Sequence, residues 1–296
     1  MGAVDVPIMN VNQAEWSRDI REALKKRFNL SYHIEYLSEA QRRCGLAGMK
    51  VLEVGGSLPR ELVIDDLGAQ QWFGVEEMSY WEELTPNGGG TQPRQRDCPD
   101  VGKLGALLPN NVFSVVNGKV EDLDPDVVGY FDRVFSIACF EHIHTLGLAL
   151  ERMYQALKPG GLVFSMFSPL WSSPDGHHLP RVSDASGKVF DFHNAPIPPW
   201  GHLLMRPAEM YEMLQSHTDE QTAAHIVYQV YHSPHINRLF TDDYIRYFQR
   251  SKFAIKELIL TFPSRLPREL ESKLKAVHPH NRHFSNNGIL VVLQKP

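Results

Sequence analysis

The stretch Val51-Leu52-Glu53-Val54-Gly55-Gly56-Ser57-Leu58-Pro59-Arg60 decides the fold of this chain. Apolar residues that favour β-structure run directly into a pair of glycines, which is typical of a buried parallel strand whose backbone turns tightly beside a ligand. The stretch has neither the glycine spacing of a dinucleotide site nor the Gly-Lys-Ser/Thr of a P-loop, so neither NAD nor ATP is indicated. On motif grounds alone, a plain turn is an equal alternative.

Further segments downstream have the composition of buried strands. Residues 72–76 end in the carboxylate of Glu76, about 20 residues after the glycines, where an acidic side chain can accept both ribose hydroxyls in an open α/β sheet. Residues 113–117, 131–139 and 162–166 predict three more strands. This order of elements favours a nucleoside site over a plain turn.

Three motifs stand around the fourth and fifth predicted strands: Phe131-Asp132, Glu141-His142 and Leu157-Lys158-Pro159-Gly160-Gly161. With them the chain resembles the class I S-adenosylmethionine-dependent methyltransferases, closely over residues 50–168 and more loosely in the C-terminal part. The resemblance implies an α/β fold: a Rossmann-like, seven-stranded, mostly parallel sheet with an antiparallel last strand, helices on both faces and a lid insertion after the fifth strand. It also implies S-adenosylmethionine as cofactor and S-adenosylhomocysteine as product.

The same resemblance gives roles to individual residues. Gly55 and Gly56 would approach the methionine part of the cofactor, and Glu76 would hold the ribose, with Glu77 as a rival. Val120 and Glu121 would flank the adenine. The candidate cofactor contacts are Glu53, Gly55, Gly56, Ser57, Glu76, Glu77, Val120, Glu121, Ala138 and Glu141.

Three positions depart from the pattern of the family. Ser57 and Pro59 stand where the family has its second and third glycines, and Lys119 stands where an aspartate that meets the adenine amine is common. These departures leave open a protein of the same fold that binds the cofactor, or serves as a scaffold, without catalysis.

Composition limits the functional classes. The 296 residues are 43% hydrophobic, enough for a full core, and the net charge of −5 argues against a nucleic-acid partner. Three cysteines without metal spacing suit a reducing compartment. No apolar run reaches membrane-spanning length, and the N-terminus lacks a signal-peptide core. We expect a cytoplasmic protein with neither a membrane nor a nucleic-acid partner.

Four regions are predicted along the chain. They are an N-terminal helical cover in 1–49, a cofactor-binding core in 50–168, a substrate lid in 169–236, and a C-terminal completion of the core in 237–296. Helices at 14–28 and 31–45 would cover the sheet edge, or close over the cofactor, and would permit a homodimer.

Other segments are predicted outside the lid. Residues 80–107 are rich in Pro, Gly and Gln and predict either a loop that orders on ligand binding or plain disorder. A helix is predicted to begin with Thr241 as its N-cap, and strands at 253–262 and 288–293 would form the closing hairpin.

Histidines are the candidate bases. His142 follows the fourth strand at the carboxyl edge, where open α/β sheets bind ligands. A hydroxyl acceptor must lose its proton during methyl transfer, and imidazole titrates near neutral pH. The alternative role for His142 is to cap the following helix. His177 and His178 of the insertion are the other candidates.

The insertion is rich in aromatic and histidine residues. Trp171 and Trp200 could stack on an apolar or sugar face, and His177, His178 and His202 could contact the acceptor. No zinc spacing is present, and adjacent histidines point to opposite sides of an extended chain, so no metal is predicted. The segment also resembles methyltransferases associated with sugar or polysaccharide modification.

These observations predict a methyltransferase that acts on a hydroxyl of a small molecule, with a sugar or glycosylated metabolite as one candidate. N-methyl or C-methyl transfer to a small metabolite stays open, because an amine with a lone pair needs less help from a base.

Overall fold

The computed structural model describes residues 15–56, 58–79 and 98–296. Two helices lead into the sheet: α1 spans Arg18–Phe28 and α2 spans Tyr32–Cys44. The hydroxyl of Ser17 accepts a hydrogen bond from the Ile20 N–H and caps α1, and the helix ends at Asn29 in the left-handed region, with φ of 52°. Both helices pack on one face of the sheet, where their apolar side chains join the strands in one cluster.

Nine strands are described. They are β1 Lys50–Val54, β2 Gln71–Glu76, β3 Phe113–Asn117, β4 Phe131–Ile137, β5 Leu157–Phe167, β6 Val182–Ser183, β7 Val189–Phe190, β8 Ala254–Pro263 and β9 Asn286–Gln294. Seven of them form one sheet in the order β3-β2-β1-β4-β5-β9-β8, and β6 pairs with β7 separately. Strands β1 to β5 run parallel to one another, and β9 runs antiparallel to β5 and β8. The predicted Rossmann-like, seven-stranded, mostly parallel sheet is confirmed.

The central strands are apolar on both faces because both faces are covered. In β1, the side chain of Val51 joins the cluster beneath α1 and α2, whereas Leu52 joins the cluster on the opposite face. In β4, Phe135 joins the cluster beneath α1 and α2, and Val134 joins the cluster on the opposite face. A near-continuous apolar run is therefore the sequence pattern of these strands.

Helices on the opposite face and beyond it complete the layers. The described helices after α2 are a π-helical turn Glu61–Asp66, the 3₁₀ turns Val101–Lys103 and Val120–Asp122, α3 Leu104–Leu107, α4 Leu146–Ala156, α5 Gly201–Leu204, α6 Pro207–Leu214, α7 Glu220–Tyr231, α8 Thr241–Arg250 and α9 Arg268–Val277. Side chains of α4 and α8 pack on the sheet opposite α2, so its carboxyl edge lies between two helical layers.

Three local predictions were wrong. Phe240, not Thr241, is the N-cap of α8; its backbone N–H donates to Asp243 Oδ2 at 2.9 Å, while the Thr241 hydroxyl contacts Ser172. Residues 101–107 are helical rather than loop, whereas 80–97 lie outside the described residues. Strand β5 begins at Leu157 instead of at the predicted residue 162, and its register with β4 shifts there.

The segment between β5 and α8 builds a cluster of its own. Its buried members are Trp171, Leu179, Val182, Phe190, Ile197, Trp200, Leu203, Met210, Leu214, Ala223, Ile226, Val230 and Ile236, together with Leu274 of α9 and Phe284. Ser172 Oγ lies 2.8 Å from Thr241 Oγ1 and joins this segment to α8. The boundaries of the lid at 169 and 236 stay a prediction.

No helix in the described ranges combines the length and apolar character needed to cross a membrane.

Trp200→Phe tests the packing of this segment. Trp200 is 3% exposed, and its indole N–H donates to Ser172 O at 3.1 Å and Phe284 O at 2.9 Å. Loss of this buried donor should lower the free energy of unfolding by about 2 kcal/mol in urea titration. The control Trp171→Phe leaves both carbonyls with their donor, so a loss as large as that of Trp200→Phe would contradict this role.

Candidate active site

The turn after β1 has no room for a side chain. Gly55 has φ of +80°, and a Cβ at this position would lie 2.1 Å from Cys139 Sγ. Its N–H donates to Val75 O at 2.9 Å, which holds the turn against β2. The backbone of the turn is thus fixed between the carboxyl ends of β2 and β4, as a close approach to a ligand requires.

Glu53 supports this turn from inside. The side chain is 2% exposed, and its carboxyl accepts hydrogen bonds from Leu58 N at 3.0 and 3.2 Å and from Trp72 Nε1 at 2.5 Å. Burial raises the pKa of Glu53 to about 7, against the opposite effect of these donors. Since its oxygens are already bonded within the protein, Glu53 shapes the turn. Ser57, in the middle of the turn, lies outside the described residues.

Glu76 and Glu77 end β2 in different environments. Glu76 is 8% exposed, and a Cβ added to Gly56 would lie 3.9 Å from its Oε2, so its carboxylate stands beside the glycine turn. Glu77 instead lies 3.4 Å from Lys119 Nζ, in an ion pair of half-exposed side chains. The position of Glu76 favours it over Glu77 as the ribose partner.

The remaining cofactor candidates line the same edge. Val120 is buried, and Glu121 Oε1 accepts a hydrogen bond from Thr145 Oγ1 at 2.7 Å. Ala138 has φ of 45° at the end of β4, and its N–H donates to Met166 O at 3.0 Å. The structure therefore places the described cofactor candidates along the carboxyl ends of β1 to β4.

Glu141 is a buried carboxyl without a hydrogen-bond partner of ordinary geometry at either oxygen. It is 2% exposed. Burial raises its pKa to about 8, against a smaller opposite effect of the nearby backbone N–H groups of Glu141 and Ser168. The acid is therefore largely protonated at neutral pH. An unsatisfied polar group inside a protein is rare and points to a ligand or a catalytic role.

Asn237 fixes the loop that carries Glu141. Its amide Nδ2 donates to Phe140 O at 2.7 Å and Ile143 O at 2.9 Å, and its backbone N–H donates to Glu141 O at 2.9 Å. Its Oδ1 accepts from the Tyr244 hydroxyl at 2.9 Å. One residue from the C-terminal part thus bonds the carbonyls of Phe140, Glu141 and Ile143 through its side chain and its backbone N–H.

His142, His178 and His235 form a group that we name the histidine triangle. The ring centroids are 5.1 Å apart for His142 and His178, and 5.3 Å apart for each of these rings and His235. His142 comes from the loop after β4, and the other two come from the segment between β5 and α8. This segment therefore reaches the carboxyl edge of the sheet.

The tautomer of His142 follows from its contacts. Its Nδ1 lies 2.7 Å from His235 O, and because a carbonyl only accepts, Nδ1 must carry the proton. The Nε2 lone pair is left to act as an acceptor, 4.0 Å from Glu141 Oε1. Burial lowers the pKa of His142 to about 4, so the ring is neutral at physiological pH. The alternative role of capping the following helix receives no support, since the described N-cap of α4 is Thr145.

Burial keeps the other two rings neutral as well. It lowers the pKa of His235 to about 3 and the pKa of His178 well below its ordinary value, and a charge on His142 would lower both further. His178 has φ of 46°, and its Nδ1 is buried without a hydrogen-bond partner. All three rings of the triangle are therefore uncharged at physiological pH.

The other predicted substrate contacts form a second group inside the insertion. His202 Nε2 donates to Trp171 O at 2.7 Å, and its ring lies 5.8 Å from that of His177. His177 Nδ1 accepts from Leu179 N at 3.2 Å, and Trp200 is bonded to backbone as described above. Burial lowers the pKa of His177 to about 4 and that of His202 to about 3. Their described hydrogen bonds go to the backbone of the insertion and, for Trp200, to Phe284 O as well.

In the described ranges, no three His, Cys, Asp or Glu side chains are arranged to hold a metal ion.

Two features of the edge were missed in the sequence. His235 lies 93 residues from His142, in Ser-Pro-His-Ile-Asn, a stretch without a local motif. Tyr32 and Tyr36 of α2 also face the site, since the Glu141 charge contributes to raising the pKa of both phenols, after the larger effect of burial. Only the histidine and proline content of the insertion could have hinted at His235.

A surface cavity lies elsewhere, at the opposite edge of the sheet. It is lined by Lys50, Gln70, Gln71, Leu108, Pro109, Val112 and Tyr130. It contains none of the predicted site residues, and the parallel strands begin rather than end there. Ligands of open α/β sheets bind at the other edge.

Comparison with known proteins agrees with the motifs. Residues 100–165 match the model of a methyltransferase domain family. No curated protein matches the sequence. Solved structures that align with the chain include an S-adenosylmethionine-dependent methyltransferase from Mesorhizobium loti, with TM-score 0.41, 14% identity and coverage of 84% of this chain and 92% of that chain. Another, from Archaeoglobus fulgidus, has TM-score 0.41, 12% identity and coverage of 93% and 99%.

The sheet order and the domain match define a protein with a class I methyltransferase fold. The domain match is confined to residues 100–165, and the cofactor of proteins with this domain and fold is S-adenosylmethionine. The residues present fit that molecule: a turn that excludes a Cβ at Gly55, a buried carboxylate at Glu76 and an unsatisfied acid at Glu141.

Gly55→Ala tests the turn. Left-handed backbone with a Cβ costs about 1–2 kcal/mol, and the contact with Cys139 adds to it, so we expect a loss of at least about 2 kcal/mol in the free energy of unfolding. The Cys139→Gly change in the Gly55→Ala background removes both the Sγ and the Cβ that the new methyl group meets. This double variant should regain part of the loss in urea titration; strictly additive effects would show that the contact is not the cause.

Proposed function

We propose that this protein is an S-adenosylmethionine-dependent methyltransferase that transfers the methyl group to a hydroxyl of a small molecule, with a sugar or glycosylated metabolite as the leading acceptor class. The observation that carries the proposal is the neutral His142, whose Nδ1–H is anchored on the His235 carbonyl at 2.7 Å while its Nε2 remains an acceptor. An alcohol needs such a base, because its proton must leave as the new bond to oxygen forms.

Residues of the carboxyl edge would hold the cofactor. When bound, S-adenosylmethionine supplies a methyl group activated by its positively charged sulfur. Gly55 and Gly56 let the backbone approach it, and Glu76 accepts the ribose hydroxyls. Val120 and Glu121 would flank the adenine.

His142 would take the proton of the acceptor hydroxyl at Nε2. Its tautomer is set in advance by the carbonyl of His235, so the ring need not reorganise before it accepts the proton. Its pKa of about 4 makes it a weak base, but the same burial keeps it neutral and therefore competent from weakly acidic pH upwards.

The insertion would supply the acceptor pocket. His178 stands in contact with His142, and its buried Nδ1 can accept a hydrogen bond from a second hydroxyl of the acceptor. Neutral imidazole rings suit a polyhydroxyl molecule better than an anion, which supports a sugar. Trp171, His177, Trp200 and His202 would then form the wall behind this surface, and the segment 169–236 would act as the substrate lid.

Glu76→Ala tests the cofactor site. Loss of hydrogen bonds to a charged carboxylate should weaken binding of S-adenosylhomocysteine by about tenfold or more in calorimetric titration. Glu77→Ala is the matched control and should have a smaller effect, because Glu77 is paired with Lys119. If folded wild-type protein binds neither cofactor nor product, the departures at Ser57 and Pro59 disable the site, and the non-catalytic alternative replaces the proposal.

His142→Gln tests the base. Glutamine cannot take the proton, so turnover of a hydroxyl acceptor should fall by about 10²–10⁴-fold, with binding of S-adenosylhomocysteine unchanged. Turnover would be measured by mass spectrometry of methylated products from a panel of nucleotide sugars, glycosides and amines. His144→Gln is the control, because His144 is exposed and its Nε2 contacts only Pro234 O among the described hydrogen bonds. Methylation confined to amines, or full turnover in His142→Gln, would overturn the proposal.

A further inference from the structure

Glu141 has no function in the mechanism above, although its position is unusual. Both of its carboxyl oxygens are buried and lack a hydrogen-bond partner of ordinary geometry, whereas both oxygens of the equally buried Glu53 are bonded. No Lys or Arg of the described residues forms an ion pair with Glu141, and Nε2 of the neutral His142 lies 4.0 Å from its Oε1. A carboxyl placed in this way is matched to a group that the protein itself does not supply.

The location of Glu141 connects the two halves of the site. Cys139, two residues earlier, packs against Gly55 so closely that no Cβ fits between them. His142 follows immediately and presents Nε2 towards the carboxyl. Glu141 therefore stands where the glycine turn meets the histidine triangle, between the side that would hold the cofactor and the side that would hold the acceptor.

The groups around Glu141 include no fixed cation. The Glu141 charge acts on Tyr32 and Tyr36 of α2, Tyr244 of α8 and Cys139 of its own loop, and Glu76 of β2 acts with it on Tyr32 and Cys139. The backbone N–H of Ser168, the ring of His142 and, across it, those of His178 and His235 complete these surroundings. A cation is the ligand charge that would balance an ionised carboxylate at this position.

We propose that Glu141 is a counter-charge for the sulfonium of bound S-adenosylmethionine, so that the site distinguishes the charged methyl donor from its uncharged-sulfur product. The inference rests on the proposed use of this edge for the cofactor. S-adenosylmethionine and S-adenosylhomocysteine carry the same ammonium, carboxylate, ribose and adenine, and a difference in their affinities reports on the sulfur end alone. A site with this preference takes up the donor and releases the product.

The preference depends on pH with a definite sign. Burial raises the pKa of Glu141 to about 8 in the free protein, so below this pH the carboxyl is protonated. A bound cation favours the ionised form, and donor binding below pH 8 therefore releases a proton. Affinity for the donor should rise by up to about tenfold per pH unit between pH 6 and pH 8 and then level off. Affinity for the product should lack this rise.

Calorimetric titration of both ligands at pH 6, 7 and 8 tests the inference. In buffers of different ionisation enthalpy, wild-type protein should release close to one proton per donor bound at pH 6 to 7, and fewer for the product. Glu141→Gln should remove the pH dependence of the donor-to-product affinity ratio. Equal affinities with the same pH dependence for both ligands in wild-type protein would overturn the proposal.

A matched variant separates this effect from general loss of a buried acid. Glu53→Gln removes a carboxyl of similar burial and raised pKa that is bonded inside the turn. It should weaken both ligands together and keep the pH dependence of their ratio; loss of that dependence in Glu53→Gln would overturn the assignment to Glu141.

Two further readouts keep the outcomes distinct. Thermal unfolding checks that each variant is folded, and the proton release of the wild-type protein tests the inference without any variant. If neither ligand binds to folded protein, the proposed function has failed. If both bind without distinction, only the role of Glu141 has failed.

Discussion

The carboxyl of Glu53 is the interaction on which the site depends. It bonds the backbone of Leu58 beyond the glycine turn and the indole of Trp72 on the neighbouring strand, so one side chain joins the end of β1, the turn and β2. A buried acid is costly unless its oxygens are bonded, and here the donors are present. The turn can therefore leave Gly55 without room for a side chain and still be held in one conformation.

Exclusion of water governs the chemistry of the carboxyl edge. The same burial that raises the pKa of Glu141 to about 8 lowers the pKa of His142 to about 4, because both groups avoid charge in a medium of low polarity. The carboxyl of Glu141 therefore keeps its proton at pH values at which the nearby imidazole of His142 has lost its own. In water the order of the two pKa values is the reverse. The pKa values at this edge therefore depend more on how tightly the site is packed than on which residue types it contains.

The sequence predicts the parts of this molecule that depend on neighbours along the chain. The apolar runs of β1 to β5 and the glycine turn are local patterns, and the strands lie within a few residues of their predicted positions. The Phe240 cap was missed because an aromatic residue is not a preferred N-cap. The hydroxyl of Thr241 is hydrogen-bonded to the hydroxyl of Ser172 instead. His235 and the burial of Trp200 depend on contacts between distant segments, which no local pattern reveals.

The hydrogen bonds of Asn237 have a consequence for synthesis of the chain. The loop with Glu141 and His142 has its carbonyls satisfied by a residue that leaves the ribosome almost a hundred positions later. Strands β1 to β5 are complete well before that point, since β5 ends at Phe167. A domain generally folds as a unit. The loop with Glu141 and His142 therefore reaches its final hydrogen bonds only after the C-terminal part of the chain has been made.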